Sequence, residues 1–200
     1  MIMQNDDPMV LQFASLAEKA REGNRYCFQD LVTMFQEDIY RFAYYRTFSQ
    51  PDAEDLTQEV FEQAYRKIAT LQDPFRFRAW LYRIAVNRCN DFLRKKKYLA
   101  LLQIGAASEQ ESMAAGMAKD SSNDTVDRKR FWQKVRSMLK RLPPMERQVF
   151  TLRFMDYRSI SEIAAILDKN ESTVKTHLYR ALDKVRGDSE FFREYREHIA

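Results

Sequence analysis

Glycine and proline are scarce, at four and five in 200 residues. Sheet proteins need those residues at their turns, so the shortage, together with long 3.6-residue periodicity, points to an all-helical chain. There are only two cysteines, Cys27 and Cys89. Both fall inside helical patterns without CxxC or Cys/His spacing, which favours buried thiols over a zinc site. The two histidines lie in unrelated places. No Ser-His-Asp set can be assembled and no glycine-rich phosphate loop appears. No apolar run reaches the roughly eighteen residues of a membrane span, and the opening MIMQNDDPMVLQF lacks the parts of a signal peptide. The expectation is a soluble, cytoplasmic protein that is not an enzyme. It should have no catalytic residues, metal, cofactor or membrane insertion.

What the chain does have is segregated charge. Net charge is only +4, yet Asp52, Glu54, Asp55, Glu59, Glu62 and Asp73 face only Arg66 and Lys67 between positions 50 and 73. From 76 to 97 the balance reverses: Arg76, Arg78, Arg83, Arg88 and Arg94 to Lys97 oppose Asp91 alone. A third run, 128–153, is again basic. Such separation suggests two kinds of partner, one of them polyanionic.

The pattern divides the chain into two helical modules and a tether. The first module spans 8–97. Phe28, Leu31, Val32, Phe35, Ile39, Phe42 and Ala43 make one apolar stripe, and Leu56, Val60, Phe61, Ala64, Tyr65 and Ile68 make the next. Asp52, Asp55, Glu59 and Glu62 lie opposite the second stripe. A helix from 78 to 97 follows QDP. Residues 98–125, rich in Ser, Ala and acidic groups and without a clear period, read as a flexible linker. The second module covers 126–186, with a boundary at LPP. A tail, 187–200, places Phe191, Phe192, Tyr195 and Ile199 on one helical face, which packing on the second module would explain.

In the second module, Ser159 and Glu162 are spaced as a capping box ahead of Ile160, Ile163, Ala164 and Leu167. Asn170 is a candidate N-cap for a helix whose buried stripe is Val174, Leu178, Ala181 or Leu182, and Val185. Two short helices joined this way match a helix-turn-helix. Glu171, Ser172, Lys175, Thr176, Tyr179 and Arg180 then project outward, where a recognition helix meets the major groove. Solvated residues on an ordinary helix hairpin are the plainer alternative.

In the first module, Leu81, Ala85, Cys89 and Phe92 are assigned to the core, while Arg83, Asn87, Asn90 and Arg94 form a polar stripe. Nearby lie Phe75, Arg76, Phe77, Arg78, Trp80 and Tyr82. Interleaved rings and cations suit single-stranded nucleic acid, and Asn87 could bond the edge of an extruded base. A core role for Trp80 and the phenylalanines is the competing account. The acidic stripe is either a solvated face or a docking site for a basic protein.

Together these stretches resemble the extracytoplasmic-function sigma factors of bacterial RNA polymerase, in the sigma-70 family. DAEDLTQEVFEQAYRKI looks like the polymerase-clamp helix and FRAWLYRIAVNRCNDFLRKKK like the promoter-melting segment. LPPMERQVFTLRF and SISEIAAILDKNESTVKTHLYRALDKVR look like the minus-thirty-five module. The resemblance implies an all-helical protein with a region 2 bundle and a region 4 helix-turn-helix. It implies that Asp52, Asp55, Gln58, Glu59 and Glu62 bind core RNA polymerase. It assigns Arg83, Ile84 and Asn87 to capture of a minus-ten base, with Phe75 and Arg76 in the loop over it. Ser172, Lys175, Thr176, Tyr179 and Arg180 would contact the minus-thirty-five element. Promoter DNA, core polymerase and an anti-sigma protein are the implied partners. Two rivals stand beside it: a polymerase-independent helix-turn-helix regulator, which leaves the first module idle, and a nucleic-acid-processing enzyme, which requires clustered carboxylates or a phosphate loop beside the basic surface, where Asp91 stands alone.

Overall fold

The computed structural model describes residues 8–102 and 133–186, all in helices and short connections. The expected linker beyond Leu102, residues 126–132 and the tail with Phe191, Phe192, Tyr195 and Ile199 lie outside the described residues. The chain divides into two compact units, one holding residues 8–102 and the other most of 133–186.

The first unit contains α1 (Pro8–Arg21), α2 (Arg25–Thr47), α3 (Gln50–Lys67) and α4 (Phe77–Leu102), with 3-10 turns at Ile68–Thr70 and Pro74–Arg76. Its boundaries have local causes. Gly23, at φ 100, reverses the chain after α1, a conformation that costs glycine little. Asn24 then caps α2, its side chain accepting from the backbone N–H of Tyr26 and Cys27. Ser49 caps α3 in the same way, with Pro51 in the first turn where no intrahelical donor is needed.

The core of this unit is aromatic. Phe35 meets Phe13 at 5.7 Å and Phe77 at 5.5 Å between ring centroids, and Phe42 meets Tyr82 edge-on at 5.6 Å. Leu31, Ile39, Leu56, Val60, Ala64 and Leu81 fill the space between the helices. Arg21 donates to the carbonyl of Leu71 at 3.2 Å, which ties α1 to the chain leaving α3. Two expectations need correction. Tyr65 is 45% exposed rather than part of the core stripe. The fourth helix begins at Phe77 and runs to Leu102, past the expected limit at Lys97. Tyr-Leu-Ala-Leu-Leu contains no glycine or proline, so nothing local ends the helix there.

The second unit contains α5 (described over 133–141), α6 (Pro144–Phe154), the start of α7 (Ile160–Leu167) and α8 (Glu171–Val185). Pro144 occupies the first turn of α6. Arg147 reaches back and donates to the carbonyls of Lys140 and Leu142, each at 3.1 Å, satisfying the end of α5. Glu146, buried, accepts from Lys184 at 2.7 Å and links the start of α6 to the last turn of α8.

Candidate nucleic-acid interface

The expected capping box is present in full. The Ser159 N–H donates to Glu162 Oε2 at 2.8 Å, and the Glu162 N–H donates to Ser159 Oγ at 3.2 Å. Asp168 ends α7 in the left-handed region at φ 55, a conformation that aspartate tolerates better than most residues. Asn170 Oδ1 then accepts from the Thr173 N–H at 2.8 Å and starts α8. Val174, Ala181 and Val185 are buried, with Leu178 and Leu182 half-buried beside them. Ser172, Lys175, Thr176 and Arg180 are exposed on the rest of the helix, and Tyr179 is 65% exposed. All five candidate side chains therefore stand clear of the seam. Lys175 pairs loosely with Glu171 at 3.7 Å, a solvent-exposed contact contributing about 0–1 kcal/mol and easily exchanged for another partner.

In the first unit, α4 presents Arg83, Asn87, Asn90 and Arg94 to solvent, while Leu81, Ala85 and Cys89 are fully buried on the other side. Ile84, grouped with Arg83 and Asn87 from the sequence, is only 7% exposed. Burial pushes the Cys89 thiol up to about 11, the nearby Arg46 guanidinium opposing this only partly. The thiol is thus held in its unreactive form.

The cluster of rings and cations at the start of α4 separates into two groups. Asp73 accepts from the Phe75 N–H and pairs with Arg76 at 3.4 Å, holding the short turn that leaves both Phe75 and Arg76 outside. Phe77 comes next as the first residue of α4 and is fully buried. Arg78 and Tyr82 follow it inward. The Arg78 guanidinium lies over the rings of Phe13 and Phe35 at 5.1 and 5.8 Å. Phe77, Arg78 and Tyr82 therefore belong to the core and not to a nucleic-acid surface. Trp80 is half-buried, 5.8 Å from the Phe77 ring.

The acidic stripe of α3 lies on the surface as expected. Asp55, Gln58, Glu59 and Glu62 are exposed, and the Asp52 side chain is partly covered. Asp52 pairs with Lys96 at 2.8 Å and Glu59 approaches Arg88 at 4.0 Å, so one edge of the stripe is neutralised by α4. Two features of this unit had no local signal in the sequence. One is an open groove between α2 and α3, floored by Phe28 and Phe61 and rimmed by Glu54 and Glu62. Inside it, desolvation first and then Glu54 and Tyr44 raise the pKa of the Tyr40 hydroxyl. The other is a hydrogen bond from Arg46 to Asn90, joining positions far apart in the chain. Among the described residues, no group of His, Cys, Asp and Glu could hold a metal ion, and no helix is long and apolar enough to cross a membrane.

Comparison with known proteins places both units. Residues 31–98 match the family description "Sigma-70 region 2" and residues 132–185 match "Sigma-70, region 4". The ECF RNA polymerase sigma factor SigW of Bacillus subtilis is 30% identical over 182 residues, covering 89% of this chain and 97% of that protein. The ECF RNA polymerase sigma-E factor of Escherichia coli is 30% identical over 173 residues, covering 85% and 90%. The ECF sigma factor BldN of Streptomyces coelicolor is 33% identical over 168 residues, 84% of this chain, which spans 62% of that longer protein. Among solved structures, CnrH in complex with the cytosolic domain of CnrY has the same fold, with TM-score 0.66 and 24% identity over 88% of this chain and 96% of that one. Sigma factor RpoE of Bartonella quintana, solved with the anti-sigma factor NepR, also has TM-score 0.66, with 23% identity over 83% and 96%.

Proposed function

Because this chain belongs to the extracytoplasmic-function sigma factors of the sigma-70 family, we propose that it binds core RNA polymerase in the bacterial cytoplasm and directs it to a subset of promoters. In this reading the exposed stripe of Asp52, Asp55, Gln58, Glu59 and Glu62 docks on the polymerase. Arg83 and Asn87, with Phe75 and Arg76 in the preceding turn, receive an unpaired minus-ten base. Ile84 supports them from beneath. Ser172, Lys175, Thr176, Tyr179 and Arg180 read the minus-thirty-five duplex. An anti-sigma protein that covers these faces is the expected means of restraint. Nucleotidyl transfer belongs to the polymerase, and the sigma chain contributes binding energy alone.

The observation that carries the proposal is that α3, α4 and α8 each bury an apolar side and turn a polar face of different chemistry to solvent. Carboxylates are repelled by DNA and suit a basic protein surface. Asn87 and Arg83 supply donors for a base whose extrusion costs a few kcal/mol. Arg180 can donate to guanine in the major groove, adding about 1–3 kcal/mol of discrimination.

Reconstitution with core polymerase on a pool of promoters tests this reading. The purified chain should form a stable complex with core enzyme and give promoter-specific transcripts, while binding duplex DNA only weakly by itself. Arg180→Ala should weaken closed-complex formation about tenfold on promoters with a minus-thirty-five element. Asn87→Ala should instead slow strand opening after docking, measured by reactivity of unpaired thymines. Tight duplex binding by the isolated chain, with no polymerase complex, would replace the proposal with a polymerase-independent regulator.

A further inference from the structure

Asn90 has no part in the function proposed above, yet its amide on the exposed stripe of α4 is tied to a buried cation. It follows Asn87 by three positions and precedes Arg94 by four, the spacings that place helical side chains on one face, and all three are exposed. Beneath it lies Arg46, in the last turn of α2 and only 4% exposed. The Arg46 guanidinium sits over the Phe42 ring at 5.8 Å and donates through Nη2 to Asn90 Oδ1 at 2.5 Å.

This contact decides which way the Asn90 amide faces. A guanidinium has donors only, so it bonds the amide oxygen and repels the amide NH2 group. The orientation, often ambiguous for asparagine, is therefore set by chemistry. The oxygen turns toward buried Arg46 and the NH2 group turns outward.

We infer that Asn90 is a further specificity-determining residue, presenting fixed amide donors to a non-template base beside the one that Asn87 receives, and that Arg46 is its positioning residue. The inference rests on the proposed role of the α4 stripe. On the edge that a base shows to the major groove, outward donors complement the N7 and O6 of guanine or the O4 of thymine and oppose the N4 amino group of cytosine. A free asparagine can rotate its amide and serve either kind of edge, whereas one held by Arg46 cannot.

The test uses holoenzyme assembled from the full chain and core polymerase, with promoters randomised across the non-template minus-ten segment and transcripts counted by sequencing. Wild type should favour guanine or thymine over cytosine on the order of tenfold at one position. Asn90→Asp keeps an acceptor for Arg46 but removes the outward donors, so it should abolish that preference at that position alone. Arg46→Met should flatten the same position, and Arg46→Lys should restore part of the preference. If Arg46→Met does not fold, Asn90→Asp carries the test, since its side chain is exposed and its partner is retained. An unchanged base profile for Asn90→Asp, while Asn87→Ala still impairs opening, overturns this inference and leaves the proposed function standing. No effect from either variant overturns both.

Discussion

Helices α4 and α8 both carry side chains assigned to nucleic acid, and they are built in opposite ways. Over Phe77 to Cys89, α4 buries aromatic, aliphatic and even cationic side chains, and its exposed stripe is narrow. By contrast, α8 buries only Val174, Ala181 and Val185 along a thin seam, and most of its surface is solvated. The contrast fits the two proposed tasks. A base taken out of a stack has no groove around it, so the protein must hold its donors in place beforehand to limit the ordering cost of binding. A duplex already has a defined groove, and long side chains such as Lys175 and Arg180 can adjust within it. Changes beneath α4 should therefore reach its reading face, whereas changes on α8 should stay local.

The sharpest way to break this comparison uses two neighbouring rings. Phe77 is fully buried against Phe35, while Phe75 is 42% exposed. Phe77→Ala should cost about 3–5 kcal/mol of stability in urea unfolding of the first unit. Phe75→Ala should stay within about 0.5 kcal/mol, yet reduce promoter opening if the turn closes over a base. Equal stability losses would erase the distinction between framework and reading surface at the start of α4.

A smaller effect is expected where α8 meets its framework. Lys184 is half-exposed, but its partner Glu146 has a side chain only 7% exposed. Lys184→Met keeps much of the aliphatic stem and removes the cation, leaving a buried carboxylate without this partner. With solvent screening allowed for, the second unit should lose about 1–2 kcal/mol in denaturant melts. A neutral result would mean that the apolar seam alone positions α8.

The sequence was most legible where the physics is local. Ser159 and Glu162 are three residues apart and form the capping box that their spacing predicts, and Asn170 caps α8 for the same reason. The outward face of α8 follows from one apolar seam at helical spacing. The start of α4 was harder. Phe75, Phe77, Trp80 and Tyr82 look alike in a list of aromatics. What separates them is the 3-10 turn at Pro74–Arg76, which changes the rotation at which the helix begins. Arg46 and Asn90 left no trace in either helix's own pattern, because their contact exists only once α2 and α4 pack together. The extension of α4 to Leu102 is not legible in the sequence because exposed Tyr98, Leu99, Leu101 and Leu102 carry no polar-apolar period.

The smallest predicted change concerns the backbone that leads into the helix-turn-helix. Tyr157 adopts φ 53, in the left-handed region, between α6 and α7, and its side chain is 63% exposed. An L side chain costs about 1–2 kcal/mol there, most of which glycine avoids. Glycine also gains freedom in the unfolded chain, which offsets part of the benefit. Tyr157→Gly should therefore stabilise the second unit by about 0.5–1 kcal/mol in a denaturant melt. Phe48 shares the same backbone region at φ 54, but its ring is buried at 5% exposure, so packing outweighs strain at that site. The solvated Tyr157 ring has no comparable burial to lose. A loss of stability in Tyr157→Gly would mean that the ring supports the turn, and that the helix-turn-helix unit depends on more than its caps and thin seam.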